Sequence, residues 1–85
     1  MTSFRFEVVI QLKPGLLDPQ GKTVQESLPR MGWDNVTEVR VGKHVRMTIV
    51  ADTEEAARAR AEEIAERFLS NPVIEEAVVR TMEEA

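Results

Sequence analysis

A stiff corner near the start of the chain limits how the first third of the sequence can fold. The stretch LKPGLLDPQGKTV, residues 12–24, contains two prolines and two glycines between two different periodic patterns. Before it, apolar and polar residues alternate from Phe4 to Leu12, which is typical of a strand with one buried face. After it, Asp18 suits the N-cap of a helix, and Pro19 suits the first turn, where its missing N–H costs nothing. The corner therefore predicts a strand that turns abruptly into a helix.

The first helix is expected to end irregularly. Apolar residues recur at helical spacing from Val24 to Met31, and Gly32 then lies where a left-handed residue ends a helix. Pro29 falls inside this pattern, where it removes a backbone hydrogen bond and clashes with the preceding turn. We expect a kink or a distorted last turn at this proline.

Two further strands are predicted in the middle of the chain. Residues 36–41 form an apolar-rich run, and apolar and polar residues alternate from Val45 to Ala51. Gly42 and Lys43 between the two runs fit a tight hairpin, because glycine supplies the positive φ of a type II′ turn.

The second helix has the clearest pattern in the chain. Asp52 and Glu55 resemble a capping box at its start, and Asn71 with Pro72 marks its end. The predicted buried stripe consists of Ala57, Ala61, Ile64, Ala65 and Phe68. A last strand is predicted over residues 73–82.

These elements follow the order β-α-β-β-α-β within a single domain, residues 1–85. The order predicts an α+β two-layer sandwich, with an antiparallel sheet and two helices on one face. So short a chain buries a small core, and without cysteine for disulfides, association is the remaining source of buried area. We therefore expect a sheet-mediated homo-oligomer, in which Val9, Val50 and Val79 of the open face meet a second copy.

The composition argues against several kinds of site. The chain has no cysteine and one histidine, so neither a thiolate nor a histidine metal cluster is expected. RNA recognition modules share the element order, but a net charge of −4 and the absence of an aromatic residue from HVRMTIVA argue against nucleic-acid binding. No apolar run is long enough for a membrane span and no signal peptide is evident, so a soluble cytoplasmic protein is expected.

The residues suggest no catalytic, cofactor-binding or metal site. His44 beside the predicted turn has no orienting partner, and we interpret it as an exposed turn histidine. Adjacent glutamates point about 100° apart on a helix, so they do not converge on a cation. GKT at residues 21–23 resembles the end of a phosphate loop, but five residues separate Gly15 from Gly21 where that motif has four.

Several motifs together resemble the PurS family, the small subunits of bacterial and archaeal phosphoribosylformylglycinamidine (FGAM) synthase. They are LKPG followed by DPQG, then LPRMGW, VRVGK and LSNPVIE, in the family order from residue 6 to residue 76. The resemblance implies a role in de novo purine synthesis, in which formylglycinamide ribonucleotide becomes formylglycinamidine ribonucleotide at the expense of ATP and glutamine-derived ammonia.

The resemblance also implies partners. In the family, a large synthetase subunit, PurL, carries the ATP and magnesium chemistry, and a glutaminase subunit, PurQ, releases ammonia. A PurS-like chain carries neither site, binds no cofactor, forms a homodimer or tetramer and brings the other two subunits together, which would help to keep ammonia out of water. The alternative is an ACT-like regulatory domain, which also has a PGLL-like turn after its first strand and would bind a small effector.

The family motifs supply the candidate contact residues. Lys13, Pro14, Gly15, Asp18, Pro19 and Gly21 form the corner, Gly42 and Lys43 the predicted hairpin, and Asn71 and Pro72 the end of the second helix. Backbone geometry alone accounts for four of them, namely Asp18, Pro19, Gly42 and Asn71. Lys13 and Lys43 are required by no turn, so they are the candidates for contacts with partner subunits.

Overall fold

The computed structural model describes residues 1–82 as a three-stranded sheet with two helices. The strands are β1 (Thr2–Leu12), β2 (Lys43–Ala51) and β3 (Glu75–Thr81), and the helices are α1 (Pro19–Ser27) and α2 (Glu54–Ile64). A 3₁₀ turn, Pro29–Met31, follows α1, and a π-helical turn, Ala65–Leu69, extends α2. The sheet is antiparallel in the order β2-β1-β3, which confirms the predicted α+β class. Within this part of the chain, no helix is long and apolar enough to cross a membrane.

The core lies between the sheet and α2. β1 is the central strand, and its alternate residues Phe6, Val8 and Ile10 are fully buried. Three alanines at four-residue intervals on α2 and its extension complete the two core clusters: Ala57, Ala61 and Ala65. The period-2 pattern of the strand and the helical spacing of the alanines thus place both sets of side chains on facing surfaces.

The strand predicted over residues 36–41 does not form within the chain. Residues 34–42, which we call the arm, contain no helix, turn or bend and lead directly into β2. Gly42 lacks a positive φ, so no type II′ hairpin forms there. The glycine is needed for space instead, because a Cβ on Gly42 would lie 2.5 Å from the carbonyl oxygen of Ile10. The sheet of one chain therefore has three strands rather than four.

In the described part of the chain, the helical residues that pack in the core against the sheet come from α2 and its π-helical extension. α1 lies beside the arm instead, where Gly21 comes against the carbonyl oxygen of Val39. The helical layer over the sheet is therefore α2, whereas two helices were expected there. Hydrogen bonds from Gln25 and from the N-cap Asp18 hold α1 against the arm. The apolar side chains of α1 therefore take no part in the core.

Both ends of α1 follow the predictions. Asp18 is the N-cap, and Pro19 is the first residue of the helix. Pro29 stops the regular α-helix, which ends at Ser27 and continues as the 3₁₀ turn. Gly32 ends this turn with a φ of 98°, the left-handed conformation expected of it.

α2 begins one residue later than predicted. The N-cap is Thr53 rather than Asp52, and the Thr53 hydroxyl oxygen accepts a hydrogen bond from the Ala56 N–H at 3.1 Å. Asp and Thr are both good caps, so composition alone does not decide between neighbours.

Phe68 was predicted to belong to the buried stripe of α2, but it lies in the π-helical turn and is exposed. Its side chain is 84% exposed. In the π-helical turn, the Ser70 N–H donates to the carbonyl oxygen of Ala65, five residues back, at 3.0 Å. The extra residue in this turn rotates the last side chains away from the face that an α-helix would bury.

Candidate interaction site at one end of the sheet

Asp18 fastens the corner to the arm. Its side chain is buried, with 6% of the residue exposed. One carboxylate oxygen accepts the Gly21 N–H at 2.9 Å, and the other accepts the Val41 N–H at 2.7 Å. The bond from Gly21, followed by that from Val41, stabilises the charged carboxylate and lowers the pKa of Asp18. One side chain thus caps α1 and holds the chain just before β2.

Two more side chains join the same parts of the molecule. Arg40 of the arm donates from Nη1 to the carbonyl oxygen of Leu16 at 2.9 Å and from Nη2 to that of Lys13 at 3.3 Å. Gln25 of α1 donates from Nε2 to the carbonyl oxygen of Thr37 at 3.0 Å. The corner, α1 and the arm are therefore one connected unit.

Backbone geometry explains both glycines of the corner. A Cβ on Gly21 would collide with the carbonyl oxygen of Val39 in the arm. Gly15 has a φ of 88°, a left-handed conformation that residues with a Cβ rarely adopt. These observations agree with the interpretation of the stretch as a structural corner.

The three groups of candidate residues meet at one end of the sheet. The Lys13 N–H of the corner donates to the carbonyl oxygen of Ile74, just after the Asn-Pro turn, at 2.9 Å. Lys43 at the start of β2 lies between these segments, with its Nζ 3.4 Å from the carbonyl oxygen of Leu69. Motifs far apart in the sequence therefore share one surface.

Asn71 organises the turn from α2 into β3. Its side-chain Oδ1 accepts the Val73 N–H at 3.1 Å, and its carbonyl oxygen accepts the Glu75 N–H at 2.7 Å. Its own N–H donates to Oε1 of Glu75 at 2.7 Å. Pro72 follows at the start of this turn, so both residues of the Asn-Pro pair have a role in the local backbone.

The two candidate lysines differ in how they are held. The Lys43 ammonium group lies 3.9 Å from Oε2 of Glu75, and its side chain is 60% exposed. Lys13 contributes backbone groups to the corner, its N–H to Ile74 and its carbonyl oxygen to Arg40, and neither bond uses its ammonium group. A role for either lysine in contacts with other subunits stays a prediction.

A second polar cluster lies on the open face of the sheet. His44 belongs to β2 rather than to a turn, and its Nε2 lies 2.8 Å from Oε2 of Glu7 on β1. Arg80 of β3 lies 3.8 Å from the other carboxylate oxygen. The hydrogen bond with His44 is the main cause that lowers the pKa of Glu7, and the positive charges of His44, Arg80 and Arg46 add to it.

Sequence reasoning missed this cluster because cross-strand neighbours depend on register. Glu7 lies opposite Arg46 on one side and opposite Arg80 on the other. Alternation marks these residues as facing away from the core, but it does not show which of them become neighbours.

The apolar part of the open face also depends on register. Val9 lies opposite Val78, which is half exposed, and Val50 is exposed as predicted. Val79, predicted for this face, packs against both core clusters instead. The prediction was off by one residue, which in a strand exchanges the two faces.

Two clefts adjoin the corner. The larger one measures about 710 Å³ and is lined by residues of the corner, α1 and the arm. The cleft at the end of the sheet, which includes Asp18, Lys43 and Glu75, measures about 220 Å³. Sites for drug-sized ligands are usually about 300–1,000 Å³. Within residues 1–82, no three potential metal-ligating residues lie together.

Together the fold and the site define a small α+β protein in which one helix covers an antiparallel sheet and a corner-and-arm unit projects from its end. Residues 5–83 match the family described as PurS: phosphoribosylformylglycinamidine (FGAM) synthase. The chain belongs to the PurS family.

Relatives and solved structures agree with this assignment. PurS of FGAM synthase from Synechocystis sp. is 36% identical over 73 residues, which cover 86% of this chain and 73% of that protein. The Methanocaldococcus jannaschii subunit is 37% identical over 71 residues, 84% of this chain and 86% of that protein. A chain of the PurLQS structure from Thermotoga maritima is 30% identical with a TM-score of 0.89, and the match covers 96% of this chain and 100% of that one. The resemblance seen in the sequence is confirmed, and the ACT-like alternative is not favoured.

Proposed function

We propose that this chain is the small, non-catalytic subunit of an FGAM synthase and that it assembles a PurL-type synthetase with a PurQ-type glutaminase. The observation that carries the proposal is the end-to-end match to a chain of the Thermotoga maritima PurLQS structure. A chain that corresponds to the whole of such a subunit would retain its surfaces for assembly.

The roles of the charged side chains support a subunit whose chemistry lies elsewhere. Both carboxylate oxygens of Asp18 accept hydrogen bonds from backbone N–H groups. The Glu7 carboxylate is hydrogen-bonded to His44 and lies beside Arg80. We propose that ATP and magnesium bind to the synthetase subunit and that this chain holds no cofactor.

The end of the sheet is the proposed contact with the partner subunits. The corner, the arm and the Asn-Pro turn are joined by hydrogen bonds, so this surface is ordered before any partner arrives. Ordering in advance lowers the entropic cost of binding. Lys13 and Lys43 would add positive charge there, which steers association with an acidic partner surface.

A rigid connector also suits the transfer of ammonia. Ammonia that reaches water is protonated and lost as a nucleophile, so a closed contact between glutaminase and synthetase would preserve it. We propose that this chain supports the transfer by holding the two subunits together, and that it acts in the cytoplasm.

The direct test is glutamine-dependent ADP formation by the cognate PurL-type and PurQ-type subunits, with and without this chain. We expect a strong increase when the chain is added. In the matched control, an ammonium salt replaces glutamine, and the synthetase should then need the chain far less because no transfer between subunits is involved. An unchanged glutamine-dependent rate, with the partners active in the ammonium control, would contradict the proposal.

A further inference from the structure

One edge of the sheet is the outer side of β3. The Met82 N–H donates to the Arg5 carbonyl oxygen and the Lys13 N–H to the Ile74 carbonyl oxygen, both at 2.9 Å. Between these two bonds β3 pairs with β1 in unbroken register. The even-numbered residues of β3 therefore bond to β1, and the odd-numbered residues direct their N–H and C=O groups to the outer edge. In the described part of the chain, no strand covers this edge.

The two ends of this edge are closed, but its middle is open. At one end, the Glu75 N–H donates to the Asn71 carbonyl oxygen at 2.7 Å. At the other, Nη2 of Arg58 donates to the Val79 carbonyl oxygen at 3.0 Å. Within residues 1–82, no hydrogen bond occupies the Ala77 N–H, the Ala77 carbonyl oxygen or the Val79 N–H. The middle of β3 thus offers two donors and one acceptor to another chain.

A cleft of about 550 Å³, which we call the β3 cleft, lies between this open edge and the helix that covers the sheet. Its lining includes Ala65 from the helical side and Ala77 and Val79 from the strand. Unpaired strand edges are templates for pairing, and proteins normally shorten or block them where no partner binds. Here the block is partial, and the part left open faces a cleft.

The β3 cleft is acidic. Its charged lining residues are one arginine and four glutamates: Arg58, Glu62, Glu66, Glu75 and Glu76. Two of the carboxylates are paired, since Nε of Arg58 lies 3.1 Å from Glu62 and Nζ of Lys43 lies 3.9 Å from Glu75. Among the described residues, Glu66 and Glu76 have no ion pair. Glu66 lies on the π-helical turn and Glu76 on β3, so one unpaired negative charge stands on each side of the cleft.

We propose that the β3 cleft binds an extended basic segment of a partner subunit, which adds as a strand to the open part of β3. The Ala77 and Val79 backbone groups would supply the hydrogen bonds, as in other cases of strand addition. Side chains of an added strand point alternately to its two faces. Two adjacent lysine or arginine residues would therefore direct one cation to Glu66 and the other to Glu76.

This contact extends the one proposed above for the end of the sheet. Pro72 of the Asn-Pro turn lines the β3 cleft, and Glu75 joins the cleft to Lys43. The inference rests on the proposed function, because it takes the segment to belong to the PurL-type or the PurQ-type subunit. It adds the backbone conformation and the charge that the segment must have.

The first test measures hydrogen exchange at single amides of the chain, alone and in complex with the cognate PurL-type and PurQ-type subunits. The Ala77 and Val79 N–H groups should exchange at least about tenfold more slowly in the complex, because they gain acceptors there. Val78 and Arg80 are internal controls, since their N–H groups already face β1. Their exchange should change much less.

Each outcome of this test separates the inference from the proposed function. Unchanged exchange at Ala77 and Val79 in a complex that co-elutes would overturn the inference and leave the function standing. A chain that forms no complex would overturn both. Protection that is present in the chain alone and grows with its concentration would show that a second copy occupies the edge, which would also overturn the inference.

The second test reverses the two unpaired charges. The double variant Glu66→Lys, Glu76→Lys should raise the Kd for the partner subunits at least about tenfold at low salt, and less at high salt. The matched control Glu55→Lys, Glu63→Lys makes the same change in net charge at exposed positions of α2 outside the β3 cleft. Circular dichroism confirms that both variants fold. Equal losses of affinity in the two variants, or no loss in the first, would overturn the inference.

Discussion

At the scale of single residues, Asp18 both caps α1 and binds the arm. Both of its carboxylate oxygens accept backbone N–H groups, one from the first turn of α1 and one from Val41. The cap was predictable because N-capping depends on residues close together in the sequence. The second bond was not, since it joins residues 23 apart and exists only once the arm lies beside the corner.

Replacement of Asp18 should separate these two roles. Asp18→Ala removes the cap and the acceptor for Val41, and we expect the melting temperature to fall by at least about 4–8 °C. Asp18→Asn keeps one acceptor oxygen for the cap, so its loss should be smaller. Melting is followed by circular dichroism at equal protein concentrations, because association raises apparent stability. An Asp18→Ala variant with the same melting temperature as the wild type would show that neither hydrogen bond stabilises the fold.

The lowered pKa of Asp18 predicts a loss of stability in acid. A carboxylate whose pKa is lower in the folded chain stabilises the fold above its ordinary value, 3.8, and this stabilisation is lost as the pH falls through the folded value. The melting temperature of the wild type should therefore decline more steeply than that of Asp18→Asn below about pH 4. Parallel declines in the two proteins would contradict the assignment.

At the scale of elements, both helices and three of the four predicted strands occur in the described residues. The predictions of where the elements begin and which side chains they bury were less accurate. The predicted stripe of α2 assumed one helical period, and the π-helical turn at residues 65–69 changed that period near its end. The predicted hairpin rested on Gly42, whose actual role is close approach to Ile10. In both cases a local pattern has two physical explanations, and tertiary contacts select between them.

The start of α2 offers a direct comparison of two neighbouring caps. Thr53→Ala should lower the free energy of unfolding by about 1 kcal/mol, because the Ala56 N–H loses its acceptor. Asp52→Ala is the matched control and should change it by less than about 0.5 kcal/mol. Urea denaturation at fixed protein concentration gives both values. If Asp52→Ala proved the more costly change, the helix would begin as the sequence pattern suggested.

At the scale of the whole molecule, the sheet with α2 over it was predictable, whereas the projecting arm was not. Alternation in β1 and the alanine spacing of α2 are each visible in a short stretch of sequence. The meeting of the corner, Lys43 and the Asn-Pro turn depends on antiparallel pairing that brings β1, β2 and β3 together at one end. The motif residues were therefore identified, but their common surface appears only in three dimensions.

Lys43 tests whether that surface contacts the partner subunits. Lys43→Glu removes a positive charge and places a carboxylate near Glu75, so we expect weaker co-elution with the PurL-type subunit on gel filtration. Arg60→Glu makes the same change in charge on an exposed part of α2 and should leave co-elution unchanged. Circular dichroism confirms that both variants fold. An unaltered elution profile for Lys43→Glu would exclude this lysine from the contact.

The central position of β1 has a consequence for how the chain acquires its fold during synthesis. β1 is made well before its neighbour β3, because residues 12 and 81 are 69 positions apart. At about 5–20 residues per second, the ribosome needs roughly 3–14 s to supply that neighbour. Throughout this delay Phe6, Val8 and Ile10 lack their full cover, so we expect the nascent chain to expose an apolar strand until β3 has been made.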